Sequence, residues 1–116
     1  MNAQELRPGN WVLVNGAPNV IWAAGIAALE NGRLTADPIQ LTGAMVKALG
    51  LREGRWKIDD GAERVSYHAG DLMLLDDWTT GLQIAEHFYI VGQRPYLHQL
   101  QNFYHAITGN EIRITL

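Results

Sequence analysis

The first third of the chain alternates short apolar runs with turn residues. Residues 11–14 are Trp-Val-Leu-Val, a β-prone run that follows the turn at residues 7–10 and predicts a short buried strand. In residues 20–29, the opening Val-Ile-Trp favours a strand, whereas the alanine pairs at 23–24 and 27–28 would suit a helix. Gly25 and the short connections on both sides lead to the interpretation of this segment as a second strand. Asn31-Gly32 predicts a hairpin turn into a third strand at residues 33–36, because this dipeptide readily adopts two positive φ values.

Two helices are predicted, at about residues 42–49 and 96–108. Thr42 is a plausible N-cap for the first helix, and Gly50 stands where a residue ending a helix is expected. In the second helix, one broad arc holds the apolar side chains and the opposite side is polar. We expect its apolar arc to bury Leu100, Phe103 and Ile107 against a sheet.

The second half of the chain reads mostly as strands. The predicted strands lie at residues 55–58, 64–67, 72–75, 82–91 and 111–116, with a loop through residues 79–81. The predicted fold class is therefore α+β, with a small, mainly antiparallel β-sheet or an SH3-like partial barrel and two packed helices. The SH3-like barrel would be formed by residues 9–36.

Length and composition indicate one packed domain over residues 1–116. The chain has 116 residues, of which 47% are hydrophobic and 18% charged, a composition too apolar for a disordered chain. It contains no cysteine, which excludes disulfides and thiolate metal sites. No segment resembles a bilayer span or a signal peptide, so we expect a cytoplasmic protein without a membrane contact.

The charge distribution disfavours a nucleic-acid surface. Residues 1–58 carry six basic and four acidic side chains, whereas residues 59–116 carry three basic and eight acidic ones. The two halves therefore differ in sign, at +2 and −5, and the acidic half would repel a phosphate backbone. One basic-aromatic cluster remains as a nucleic-acid alternative, composed of Arg52, Arg55, Trp56 and Lys57.

Few residues form a recognisable catalytic pattern. Ser66 is the only serine and lies inside a predicted strand, a poor position for a nucleophile. His98 and His105 are two helical turns apart, whereas metal-binding pairs on helices usually have i,i+4 spacing. We expect no cofactor and no metal. The candidate binding residues are His98, Gln101 and Asn102, because a solvated face would favour Lys and Glu over neutral amides and imidazoles.

The last helix carries a resemblance to a known family. Residues 98–112, His-Gln-Leu-Gln-Asn-Phe-Tyr-His-Ala-Ile-Thr-Gly-Asn-Glu-Ile, resemble the C-terminal signature of an uncharacterised family of small bacterial and prophage-encoded proteins. Residues 6–12 and 38–42 resemble that family's L-R-x-G-N-W-V and P-I-P-L-T segments. Gly43-Ala44 replaces an acidic pair, and His105 replaces a phenylalanine, which argues against a catalytic role for His105. The resemblance implies a mobile-element context and no activity.

We therefore expect a non-enzymatic binding or assembly module, phage-derived, with a protein partner or a second copy of itself as the ligand. The alternative is a small hydrolase or nucleic-acid-processing enzyme that uses the polar face of the last helix, with His98 and Asn102. We further expect His98 and Asn102 to be partly buried and hydrogen-bonded, to a loop of the same chain in preference to another subunit.

Overall fold

The computed structural model describes residues 1–57 and 61–114 and has an α+β fold with antiparallel strands in two sheets. It divides into two compact units, Met1–Gln40 with Tyr96–Ile112 and Leu41–Pro95, and the expectation of a single domain stays a prediction. A 3₁₀ turn lies at Ala3–Glu5. The strands are β1 Asn10–Val14, β2 Ala17–Ile21, β3 Arg52–Lys57, β4 Glu63–Ala69, β5 Leu72–Leu75, β6 Thr79–Ile84 and β7 His87–Gln93. The helices are α1 Ala23–Glu30, α2 Gly43–Ala48 and α3 Leu97–Thr108. None of the helices in the described ranges is long and apolar enough to cross a bilayer.

The first unit is built on the β1–β2 hairpin. Its two-residue loop is Asn15-Gly16, with φ values of 53° and 78° that suit a type I′ turn. Pro18 lies opposite Leu13, next to the pair Val14–Ala17 that closes the turn. This position is a non-hydrogen-bonded pair, in which the residue donates no N–H to the partner strand, so the missing N–H of proline breaks no hydrogen bond between the strands. The hairpin therefore tolerates a proline inside a strand. A small core of Val12, Ile21 and Ala36 lies beneath it, covered in part by side chains from α1.

Three predictions for residues 9–36 are wrong. Residues 20–29 are not one strand, since β2 ends at Ile21 and α1 begins at Ala23. Asn31-Gly32 does not form a hairpin turn but ends α1, with Asn31 as the C-cap and Gly32 at a φ of 74°. Residues 33–36 form no strand, so the N-terminal SH3-like barrel is absent and a hairpin followed by a helix takes its place.

The second unit contains a five-stranded antiparallel sheet in the order β3-β4-β5-β6-β7. Every residue of the central strand β5 is buried. The predicted strand at residues 82–91 is in fact two strands, since a turn at Ala85-Glu86 with Ala85 at a φ of 56° separates β6 from β7. The predicted loop at residues 79–81 belongs to β6. Of the predicted strand at 55–58, Ile58 lies outside the described residues.

The sheet brings its two outermost strands towards each other. The rings of Trp56 on β3 and Phe88 on β7 meet edge to face, with centroids 5.9 Å apart. The β6–β7 register shifts between Thr80 and Gly81, so that Val91 has no partner on β6, which is the arrangement of a β-bulge. Gly81 is required there, because an added Cβ would lie 2.1 Å from the carbonyl oxygen of Tyr89.

Helix α2 confirms its predicted start and end. The Thr42 hydroxyl accepts a hydrogen bond from the Met45 N–H, and Gly50 has a φ of 95°. Gly43, a poor helix former, opens this helix for a packing reason. A Cβ at Gly43 would lie 2.5 Å from the hydroxyl oxygen of Tyr67, so only glycine permits the approach of that side chain.

Helix α3 also has its predicted bounds, but its buried face differs from the predicted one. It begins after Tyr96 and ends at Gly109, whose φ is 75°. Leu100 is buried as expected, whereas Phe103 is half-buried and Ile107 is 37% exposed. The predicted terminal strand is absent from residues 111–114, and Thr115 and Leu116 lie outside the described residues.

The contact between Gly43 and Tyr67 can be tested by a double-mutant cycle. We expect Gly43→Ala to lower the free energy of unfolding by about 1–3 kcal/mol, the usual cost of overpacking. In a Tyr67→Phe background the obstructing hydroxyl is gone and the nearest ring atom is 3.5 Å from the added Cβ. There the same substitution should cost less than about 0.5 kcal/mol, or stabilise the helix. Urea unfolding of the four proteins measures both values, and equal losses in the two backgrounds would contradict the packing argument.

Candidate functional site

Part of the polar face of α3 is buried, next to Leu97 and Leu100. His98 is 1% exposed and Gln101 is 2% exposed, while Asn102 is half-buried beside them. Helix α3 packs against β1, and both elements belong to the first unit. The structure therefore brings the three predicted binding residues together on one face, directed into the protein.

Gln101 completes the outer edge of β1. Its side-chain oxygen accepts a hydrogen bond from the Trp11 N–H at 2.8 Å, and its Nε2 donates to the Gly9 carbonyl at 3.1 Å. A strand neighbour would offer the same donor and acceptor, so one side-chain amide replaces part of a strand. Further along this edge, the backbone of Leu13 exchanges two hydrogen bonds with Asp37. The edge of the hairpin that faces away from β2 is therefore occupied.

Asn102 links α3 to the N-terminal turn. Its side-chain oxygen accepts hydrogen bonds from Asn10 Nδ2 at 2.8 Å and from Arg7 Nε at 3.2 Å. Its Nδ2 donates to the Glu5 carbonyl at 3.2 Å and to Asn10 Oδ1 at 3.3 Å. The expected hydrogen bonding of Asn102 to a loop of its own chain is thus confirmed.

An ion pair closes the outside of this network. The guanidinium of Arg7 forms a two-point contact with the carboxylate of Glu111, just beyond the end of α3. The hydrogen bond with Arg7 lowers the pKa of Glu111, and the same bond raises the pKa of Arg7. Both side chains are partly exposed, so the pair adds little stability and mainly orients Arg7 towards Asn102.

The expectation that His98 is hydrogen-bonded is wrong. The ring is buried, as expected, but neither ring nitrogen has a hydrogen-bond partner among the described residues. The ring stacks on Tyr96, with centroids 6.1 Å apart and planes 7° from parallel. Burial lowers the pKa of His98, and the nearby charge of Glu5 opposes this effect. A neutral ring is therefore favoured. A substrate has no route to a side chain buried in this way unless the packing opens.

The basic-aromatic cluster does not form one surface. Arg52, Arg55, Trp56 and Lys57 all lie on the edge strand β3, but side chains alternate between the two faces of a strand. Trp56 therefore shares a face with Arg52 and points away from Arg55 and Lys57, and its ring contacts Phe88. Lys57 pairs in register with the acidic Glu63. Stacking on Trp56 with phosphate contacts from Arg55 and Lys57 would require side chains from opposite faces.

A contact between Ser66 and His68 was not foreseen from the sequence. The hydroxyl of Ser66 and Nε2 of His68 form a hydrogen bond of 2.7 Å, and both side chains project from the same face of β4. Burial lowers the pKa of His68, the charge of Arg52 acts in the same direction, and a hydrogen bond with Gln83 opposes them. Ser66 is fully buried, so the pair has the chemistry of a nucleophile and a base without access to a substrate. No group of three or more His, Asp or Glu side chains able to hold a metal occurs within residues 1–57 and 61–114.

Strand β7 carries the residues that sequence reasoning missed. Tyr89, Ile90 and Val91 are 56%, 63% and 49% exposed, although their run resembles a buried strand. Ile90 and Phe88 line, with Trp56, a cleft of about 380 Å³. One signal in the sequence could have indicated an outer strand: the run lies between the charged residues Glu86 and Arg94, and a proline follows it. Strand order, which decides that β7 is outermost, is a non-local property.

The role of Gln101 can be measured by removing its side chain. We expect Gln101→Ala to lower the free energy of unfolding by about 2–4 kcal/mol, because the Trp11 N–H and the Gly9 carbonyl both lose their partner. Gln93→Ala is the matched control, since that amide makes one exposed hydrogen bond, to the Asp77 carbonyl. It should cost less than about 0.5 kcal/mol in the same urea titration. Similar losses for the two variants would mean that the Gln101 contacts contribute little.

Protonation of His98 should make the fold less stable in acid. Because its pKa is lowered in the folded state, the unfolded chain binds the proton more readily. The contribution is fully present above the unfolded pKa of about 6.5 and is lost as the pH falls towards the folded pKa, by at most about 1.4 kcal/mol per pH unit. Urea unfolding at several values between pH 7.5 and pH 5 should show a shallower dependence for His98→Leu. His68 leaves a residual slope in both proteins, and unchanged slopes would contradict the assignment.

Comparisons of the chain with protein-family models, with curated proteins and with solved structures found no match. The resemblance to the prophage-encoded family stays a prediction.

Proposed function

We propose that this chain is a non-enzymatic binding or assembly module whose contact surface is the outer edge of β7. The observation that carries the proposal is the run Tyr89-Ile90-Val91, which exposes three consecutive large apolar side chains on an outermost strand. Proteins usually protect such edges with charges, prolines, β-bulges or a covering element, because an open edge pairs with another chain. Strand β7 has a bulge at Val91, which leaves the run itself exposed. No charged side chain occurs between His87 and Gln93.

The geometry of a strand makes this edge suitable for a protein partner. Successive side chains point to opposite faces, so Tyr89 and Ile90 present apolar surface on both sides of the same strand. An extended segment laid along β7 would gain backbone hydrogen bonds from the edge and apolar contacts from both faces. Single exposed apolar residues elsewhere, such as Trp22 at 63%, are ordinary features of protein surfaces.

The polar face of α3 is better explained by folding than by binding. The amides of Gln101 and Asn102 have their hydrogen bonds satisfied within the first unit. For the alternative enzyme, His98 would have to act from a buried position. A cytoplasmic, phage-derived origin is part of the proposal and is supported by the resemblance of residues 98–112. A nucleic-acid partner has less support, since the basic side chains near Trp56 are divided between the two faces of β3.

The proposal is tested by affinity purification from the native cell with three tagged proteins. The wild type should retain a protein partner, which includes an untagged copy of the chain itself. Ile90→Lys should reduce the retained amount at least about tenfold, because a charge enters the centre of the contact. Trp22→Lys is the matched control, since Trp22 has the same exposed fraction of 63% and lies in the other unit.

Two results would contradict the proposal. One is a wild-type protein that retains nothing, and the other is equal retention by wild type and Ile90→Lys. Loss of the partner only in Trp22→Lys would move the contact surface to the first unit. Circular dichroism of each variant verifies that the fold is kept, as the exposure of both side chains leads us to expect.

A further inference from the structure

We infer that the occupant of the β7 edge is a second copy of this chain, paired antiparallel with β7 about a two-fold axis at Ile90. This inference rests on the proposed function, because it assigns a partner to the same edge. The alternation of hydrogen-bonded pairs in the β6–β7 hairpin and the charges that flank β7 both support it.

The hairpin determines which backbone groups of β7 point outwards. Ile84 and His87 close the two-residue turn, so they form the first hydrogen-bonded pair of β6 and β7. Hydrogen-bonded and non-hydrogen-bonded pairs alternate along an antiparallel ladder, which makes Leu82 and Tyr89 the next bonded pair. The N–H of Gln83 fits this alternation, since it donates a hydrogen bond to the Asp71 carbonyl, on the side away from β7. The backbone N–H and carbonyl groups of Phe88 and Ile90 therefore point outwards.

An axis at Ile90 uses these outward groups symmetrically. The two Ile90 residues would exchange a pair of backbone hydrogen bonds, as residues in a bonded antiparallel pair do. Tyr89 of each copy would then face Val91 of the other, so the exposed run of one copy covers that of its partner. A two-fold contact needs a surface complementary to itself, and this run fulfils the requirement without any charge at its centre.

The charges at the two ends of β7 favour the same antiparallel orientation. Glu86 and Arg94 each lie four positions from Ile90, on opposite sides. Neither takes part in an ion pair among the described residues, where the ion pairs involve Arg7, Lys47 and Arg64. In an antiparallel pairing about Ile90, Glu86 in the β6–β7 turn of one copy lies at the same end of the contact as Arg94 of the other, which follows the bulge at Val91. The symmetry produces this complementary pair twice.

Cysteine cross-linking tests the register directly, because the chain contains no cysteine of its own. Bonded pairs place Cα atoms about 5.5 Å apart, within the range that a disulfide spans. Ile90→Cys should therefore give a disulfide-linked dimer under mild oxidation. Tyr89→Cys alone and Val91→Cys alone should give little, whereas an equal mixture of these two should cross-link. Efficient linking of Tyr89→Cys with itself, or none in any of these proteins, would overturn the register.

A charge exchange tests the dimer without cysteines. Sedimentation velocity between about 1 and 200 μM should show a monomer–dimer equilibrium for the wild type. Glu86→Arg and Arg94→Glu, each alone, should weaken dimerisation at least about fivefold by placing like charges together. The protein with both substitutions restores an opposite pair across the axis and should return to within about twofold of the wild type. Additive weakening in the double variant would contradict the contact.

The outcomes separate this inference from the proposed function. A wild type that stays monomeric at 200 μM, while Ile90→Lys still loses a captured protein, overturns the second copy as occupant and leaves the edge as a site for another protein. A monomeric wild type that captures nothing overturns both. A dimer that Ile90→Lys does not dissociate places the dimer contact elsewhere and overturns this inference, and it overturns the proposed function as well unless Ile90→Lys loses a different captured protein.

Discussion

The first unit depends on the side-chain amide of Gln101, which forms the hydrogen bonds to β1 that a neighbouring strand would form. A two-stranded hairpin is marginal by itself in water, and β1 would otherwise leave the Trp11 N–H and the Gly9 carbonyl without protein partners. Gln101 satisfies both groups from α3, and Asn102, the next residue, fixes the turn that precedes β1 through Asn10 and Arg7. The packing of α3 on the hairpin is therefore specified by hydrogen bonds as well as by apolar burial.

This network gives a physical reason for the two distant segments on which the predicted family resemblance rests to occur in one chain. Residues 6–12 and residues 98–112 are far apart in the chain, yet they meet through Asn10, Gln101 and Asn102. Each segment alone contains polar residues that would be costly to bury. Together they satisfy each other, so the pattern describes a folding requirement and does not by itself indicate a catalytic or binding site.

The sequence allowed the bounds of α2 and α3 and the α+β class to be predicted, because caps, glycines and periodicity act locally. The buried face of α3 was not predictable in this way, since a hydrophobic arc gives no indication that amides will be paired inside. Asn-Gly also has two uses in this chain: residues 15–16 form the hairpin turn, and residues 31–32 end α1. Both uses need positive φ at glycine, so the dipeptide alone does not distinguish them. The alanines after Trp22 were the better signal for a helix.

The chain therefore inverts the usual expectation at two places: it buries amides on α3 and exposes apolar side chains on β7. The first inversion is explained within the chain, because the buried amides of Gln101 and Asn102 have partners. The second is not, because the side chains of Tyr89, Ile90 and Val91 remain about half exposed or more among the described residues. Satisfied polar groups need no ligand, whereas an apolar strand edge gains both hydrogen bonds and burial from one. On physical grounds, β7 is thus the better candidate for function, although the polar face of α3 looks more distinctive in the sequence.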